Sequence, residues 1–432
     1  MRLSVIPAPI FIGINSSRNP VLSNSYNSLD SGFHLSARHR QAGVTTFYEI
    51  IKGWIVMKKL KWLLPLVMVS LVAGISSAAD FQVQTGFQFD RWDDTTKAKG
   101  SQVYIPFRLE AQFQQFSFSV LAGYAYTYYD PSAGESRSLN HALDTKLNFS
   151  YEILEKLPVD VLIGLDFNLP TGKTALSQKE LSLIMDAELV SINRFGEGLN
   201  INPTLTVAKE LGNWVAGIGI GYIWRGKYDY STNMKEYDPG DIFNFNAEIR
   251  YDFSGYWKAR LFGNYTWYEK DQVLYTDHYK EGDFFLVGLG VYYSPQKWDA
   301  GFTLRNIIRM KSKFQALPSG VLASEEKNSH GNEWIADLGL RYFLSERTTL
   351  KSYLQGLLIQ ANDYPADSSR YVGKRAKLSL GLCASRTFNP HLEAELLLKG
   401  FVMHDDEARF PEYRSARTYR GFSVGAQLTG RF

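Results

Sequence analysis

The residues best suited to chemistry are three acidic or acid–histidine neighbours: His404-Asp405-Asp406, Asp277-His278 and Asp93-Asp94. A carboxylate beside an imidazole can activate water for hydrolysis, provided the groups converge within hydrogen-bond reach. Their spacings match no Ser-His-Asp arrangement. Ser329 and His330 are adjacent in sequence, which points two side chains apart, and His141 and His391 stand singly. No phosphate loop and no His-x-x-x-His pair is present. With Cys383 the single cysteine, neither an intramolecular disulfide nor a Cys-built metal site can form. The sequence therefore predicts no catalytic residue, no metal and no cofactor. A hydrolase with its groups at one rim of the fold stays open as the least favoured reading.

The elements that would position such groups are strands. Phe81, Val83, Phe87 and Phe89 share a face, as do Val103, Ile105, Phe107 and Leu109. Val159, Val161, Ile163, Leu165 and Phe167 alternate with Asp160, Gly164 and Asp166. The rhythm continues to the last residue, where Phe422, Val424, Ala426, Leu428 and Phe432 share one face. It predicts about sixteen strands (14–18), each long enough to cross a bilayer at a tilt. Tight connections are expected at 114–115, 155–158, 211–213, 254–255, 294–296, 344–346 and 389–390. Longer ones are expected at 92–100, 129–138, 169–199, 227–240, 270–280, 310–332, 361–371 and 405–416. Short and long alternate, so one rim carries turns and the other carries loops. The fold class is all-β: a transmembrane antiparallel up-and-down β-barrel, preceded by a signal peptide.

Composition agrees. The chain is 45% hydrophobic with 14% aromatic residues, yet mean hydropathy is −0.22, because alternation hides a lipid-facing surface from any average. Lys58, Lys59 and Lys61 precede the apolar run 62–74, too short to span a bilayer as a helix, and Ser77 and Ala79 supply small residues before a cut after Ala79. Residues 1–56 read as an extension upstream of that leader, and 80–432 as the barrel. A net charge of +3 without a basic block argues against nucleic acid. The partners implied are outer-membrane lipid, the barrel-assembly machinery, for which the strand ending at Phe432 resembles the recognition signal, and a small-molecule solute. A homo-oligomer is compatible with this size.

If the apolar faces meet lipid, the alternate residues line the interior. Arg250, Lys258, Arg260, Arg305, Arg309, Arg341, Lys351, Arg375 and Lys377 form a basic set. Asp144, Glu152, Asp160 and Asp166 form an acidic one. Charges there require water or close pairing, so the interior is either a polar pore with a field across it or a wall stiffened by ion pairs. The connection 169–199 exceeds the usual loop length and is too apolar to be freely solvated. Ser177-Gln-Lys-Glu180 has capping-box spacing, with Leu181, Ile184, Met185, Leu189 and Ile192 on one helical face. Folded inward, this loop would narrow the channel and bring Glu180, Asp186 and Glu188 to a constriction; folded outward, it would cap the mouth.

Phe167-Asn-Leu-Pro-Thr-Gly-Lys173, Phe195-Gly-Glu-Gly-Leu-Asn-Ile-Asn-Pro203 and Gly219-Ile-Gly-Tyr-Ile-Trp-Arg-Gly-Lys-Tyr228 resemble outer-membrane proteins of the phenol meta-pathway-like group. Those are related to the long-chain fatty-acid transporters. The resemblance covers roughly residues 167–228 and implies uptake of hydrophobic or aromatic small molecules. The fatty-acid transporters carry an N-terminal hatch inside the barrel, whereas here the first strand follows the leader directly. The favoured expectation is a non-enzymatic, porin-like channel for passive passage of small solutes across a Gram-negative outer membrane, with both termini periplasmic. Specific hydrophobic uptake is the alternative.

Overall fold

Alternation at the level of single residues decides how the strands sit. Along Arg375–Asn389, Leu378, Leu380 and Leu382 are more than half exposed, while Lys377, Ser379 and Cys383 between them are buried. A strand with its leucines outside and its lysine inside belongs to a wall whose outer face meets hydrocarbon and whose inner face is polar.

The computed structural model describes residues 80–316 and 321–432. The expected leader, its Ala79 cleavage site and residues 1–56 lie outside the described residues. Sixteen strands form the wall. The first eight are β1 (Asp80–Asp94), β2 (Lys99–Phe113), β3 (Phe116–Asp130), β4 (Thr145–Ile153), β5 (Asp160–Leu169), β6 (Asn200–Leu211), β7 (Trp214–Arg225) and β8 (Ile242–Asp252). The others are β9 (Trp257–Tyr268), β10 (Phe284–Tyr293), β11 (Trp298–Arg309), β12 (Glu333–Ser345), β13 (Thr348–Ile359), β14 (Arg375–Asn389), β15 (Leu392–Asp405) and β16 (Arg417–Arg431). Each pairs antiparallel with the next, and β16 pairs with β1. Phe81 N–H donates to Phe432 O at 3.1 Å and Phe432 N–H to Phe81 O at 2.9 Å, which seals the seam. No edge remains open in the wall.

Aromatic side chains gather where strands turn. Trp257, Tyr293 and Trp298 stack with centroids 4.6 and 5.1 Å apart, and Trp214, Tyr251 and Phe253 do likewise at 4.4 and 4.7 Å. Rings with one apolar and one polar side suit the interface between headgroups and chains.

The loop rim differs from expectation in three places. The connection expected at 92–100 is shorter, because β1 and β2 keep their pairing up to Asp93 opposite Lys99. Above β4, a short strand Arg137–Ala142 continues the pairing with β3 after a break at Leu143-Asp144. The connections after β7, β9 and β11 contribute Tyr237–Asp238, Lys270–Val273, Thr276–Lys280, Lys313–Gln315 and Leu322–Ser324 to a second, five-stranded sheet at the mouth.

Candidate functional site: the inward loop and the lumen wall

Residues 170–199 fold into the barrel. Three apolar side chains of the loop, Leu183, Ile192 and Phe195, are at most 2% exposed, packed beneath Ala125 and Leu139. Met185, Leu189 and Val190 pack against the inward residues Trp92, Phe401, Met403 and Tyr419 of β1, β15 and β16. Burying this surface against the wall is the driving term. The expected helical face reduces to a four-residue helix α1 (Gln178–Leu181), which keeps its capping box: Glu180 N–H donates to Ser177 Oγ at 3.4 Å and Ser177 N–H to Glu180 Oε2 at 2.9 Å. Glu180 also pairs with Lys173. Leu181 and Ile184 lie against the cluster at its edge.

The base of the loop is built on Asp144. Its Oδ1 accepts from Gly172 N–H at 2.8 Å, and its Oδ2 from Glu197 N–H and Asn168 Nδ2, both at 2.7 Å. Asn168 Nδ2 also donates to Gly198 O at 2.8 Å. Thr171 Oγ1 takes the Thr145 N–H at 2.7 Å and lies 3.0 Å from Leu143 O. The Leu-Pro-Thr-Gly and Phe-Gly-Glu-Gly segments therefore meet where the loop leaves and rejoins the wall. Glycine is required at 172, where a Cβ would stand 2.0 Å from Phe195 O and 2.7 Å from Asp144 N. Asp144 lies between strands, and burial pushes its carboxyl up to about 6 despite the three donors.

Across the lumen the tip is held by other chemistry. Arg375 on β14 bridges Asp186 at 2.6 Å and Asp405 at 2.7 Å. Lys377 donates to Glu188, both to the side chain at 2.9 Å and to the backbone carbonyl, and the two side chains are almost fully buried. Ser191 N–H donates to Asp90 at 2.8 Å. Gln102 completes the docking: its amide oxygen accepts Ile192 N–H and its Nε2 donates to Ile192 O, both at 2.7 Å. Asp186 and Glu188 were singled out by sequence, whereas Asp90, Gln102 and Trp92 were not. Parity places those three inward, but nothing in their spacing marks them as the seat of a loop about ninety residues away.

The nine basic residues all stand at inward parity, and most have an acid beside them. Arg305 pairs with Asp337, Arg341 with Asp299 at 2.6 Å, Lys351 with Glu395 at 2.5 Å and Arg309 with Glu333 at 3.0 Å. Arg260 lies 3.7 Å from Glu248, and Arg250 lies 3.3 Å from Asp252. Lys258 stands opposite Asp252 across the β8–β9 register. The charges are thus interleaved within one wall, rather than divided into a basic side and an acidic side. On β5, Asp166 accepts from the side-chain amides of Asn148 and Asn202. Asp160 accepts from Glu155 N–H at 3.1 Å, and Glu152 takes its place in the inward row of β4.

Nearer the mouth, the inward faces of β7 to β11 carry an apolar cluster: Ile223, Ile242, Phe262, Tyr268, Phe284, Leu286 and Ile307. The acid–histidine neighbours do not assemble. His404 lies on the outer face of β15 against Thr418 at 2.9 Å. Asp405 holds Arg375, Asp277 pairs with Lys270 at 2.6 Å, and Asp94 faces Arg417 at 3.4 Å. Gly421-Phe-Ser-Val-Gly425 spells a nucleophile-elbow motif, but it runs straight through β16 with no strand-to-helix turn.

No family model matches the chain, and no similar curated protein is found. Solved structures of outer-membrane proteins are similar to it over most of the chain. An anion-selective porin from Comamonas acidovorans is 13% identical over 82% of this chain and 99% of that one, with a TM-score of 0.39. Acinetobacter baumannii OccAB1 is 8% identical over 82% and 97%, with a TM-score of 0.44. The P. putida toluene transporter TodX is 9% identical over 84% and 92%, with a TM-score of 0.36.

Proposed function

We propose that this protein is a channel of the Gram-negative outer membrane through which small solutes pass passively, its turn rim and both termini in the periplasm. The observation that carries the reading is the inward fold of residues 170–199. A loop seated on Asp90, Gln102, Arg375 and Lys377 narrows the lumen close to its loop rim. A barrel of sixteen strands is too wide for side chains alone to fill. In this reading the chain is not an enzyme, and the interleaved ion pairs of the wall set selectivity by keeping opposite charges within reach of a passing solute.

Single-channel recording on refolded residues 80–432, beside a version with 174–196 shortened, tests it. Steady conductance that rises on shortening supports the channel with this loop as its constriction. A correctly folded barrel without conductance overturns it.

The inward apolar cluster on β7 to β11 favours a second reading, uptake of a hydrophobic or aromatic molecule, as the resemblance around residues 167–228 implies. Arg260→Ala and Arg305→Ala separate the two. Ion selectivity shifts in a polar pore, while a hydrophobic conduit transports as before.

A further inference from the structure

A cavity of about 130 Å³ lies at the mouth, between Phe314, residues 329–331 and the connections 360–374 and 406–416, and against Asp186 at the tip of the inward loop. Its floor is Arg375, already engaged by Asp186 and Asp405. Three further cations line it. Lys374 and Arg414 have no ion pair among the described residues, and their backbones alone are engaged, Lys374 O accepting from Asp406 N–H and Arg414 pairing with Ala408. Arg417 reaches Asp94 with one terminal nitrogen at 3.4 Å, and its Nε is buried without a partner. The remaining acid of the lining, Asp406, faces His404 at 3.4 Å on the outer side. Phe314, Phe410 and Tyr419 supply aromatic surface to the same space.

We infer that this cavity is a binding subsite for a small organic anion with an apolar body, such as an aromatic carboxylate. The exposed part of the Arg417 guanidinium, Arg414 and Lys374 are the donors for the carboxylate, and the three rings take the body. Guanidinium groups suit a planar carboxylate because their donors form a fork. An uncharged ligand of the same shape leaves those donors unmet, and an anion without a ring leaves the aromatic surface wet. The inference rests on the channel reading only in placing the subsite on the path of a solute.

The test is benzoate added on the loop side of the refolded channel, with benzamide and acetate as controls. Concentration-dependent block by benzoate is expected, with neither control matching it. In Lys374→Ala/Arg414→Ala the benzoate concentration for half block, measured relative to that variant's own open conductance, should rise about tenfold or more. Block by benzamide equal to that by benzoate, or a double variant blocked like the parent, overturns the subsite and leaves the channel intact. Should the barrel not conduct, equilibrium dialysis of benzoate against the folded protein decides the matter. Binding lost in the double variant then supports the subsite while the channel reading fails, and no binding overturns it.

Discussion

At its base, the inward loop is held by one carboxylate collecting three N–H donors and by two glycine segments pressed together. At its tip, it is held by two cations of β14. The base is a local arrangement of backbone groups, with no freedom to slide. The tip is a long-range contact whose strength depends on keeping charges matched in a closed space. A segment fixed at one end by shape and at the other largely by charge should answer differently at its two ends: a change in the tip should loosen its docking, and a change in the base should alter the loop itself.

The comparison is broken hardest at Lys377. Lys377→Met leaves Glu188 buried without its cation, which costs about 3–5 kcal/mol of docking. The tip should undock, seen as protease cleavage within 182–192 and a higher conductance. Lys377→Met/Glu188→Met should recover most of the loss, because two apolar groups replace a matched pair at little cost. A single variant as resistant as the parent would show that charge does not hold the tip.

Gly172→Ala acts on the other end. Its Cβ meets backbone rather than a flexible side chain, so about 1–3 kcal/mol is expected. Cleavage should move to 170–173 and 195–198. Cleavage confined to the tip would reverse the roles assigned to the two ends.

Asp144 offers a smaller and pH-dependent effect. Its carboxyl titrates near 6 in the fold against 3.8 when free. Stability from this group is therefore complete below the lower value and lost as pH rises through about 6. Between pH 7 and pH 5 the folded form takes up the proton and the unfolded form does not, worth about 1 kcal/mol. The melting temperature of Asp144→Ala should fall further below that of the parent at pH 5 than at pH 7. An equal gap at both would mean the carboxyl is ionised throughout. Least of all, Lys173→Ala removes a partly exposed pair with Glu180 and should shift stability by at most about 1 kcal/mol, with conductance unchanged.

The wall was legible from sequence because it depends on a period of two. Every expected strand from 81–89 to 417–432 has its counterpart, and the parity that set Arg305 inward also holds for Asp337. What sequence could not carry was register. Asp337 stands beside Arg305 because β11 and β12 are aligned at Thr303 opposite Asp337, a fact of the turn between them rather than of either strand. The loop was legible as long and apolar, and its capping box as a helix start. Its seat was not, since Arg375 and Asp186 are 189 residues apart and no local pattern joins them. The Arg137–Ala142 strand and the mouth sheet were missed for a related reason: they are too short to show a period, and pairing with longer neighbours stabilises them.

The seam between β1 and β16 has a kinetic consequence. Its partners Gln82 and Arg431 are separated by nearly the whole described chain, so the contact that removes the last open edges is also the one with the longest chain to close. Folding rates fall as native contacts grow more distant in sequence, and until this pair forms both edges can pair with foreign strands. Completion of the ring should therefore be the slow step of assembly, and intermediates stopped before it should be the species that aggregate.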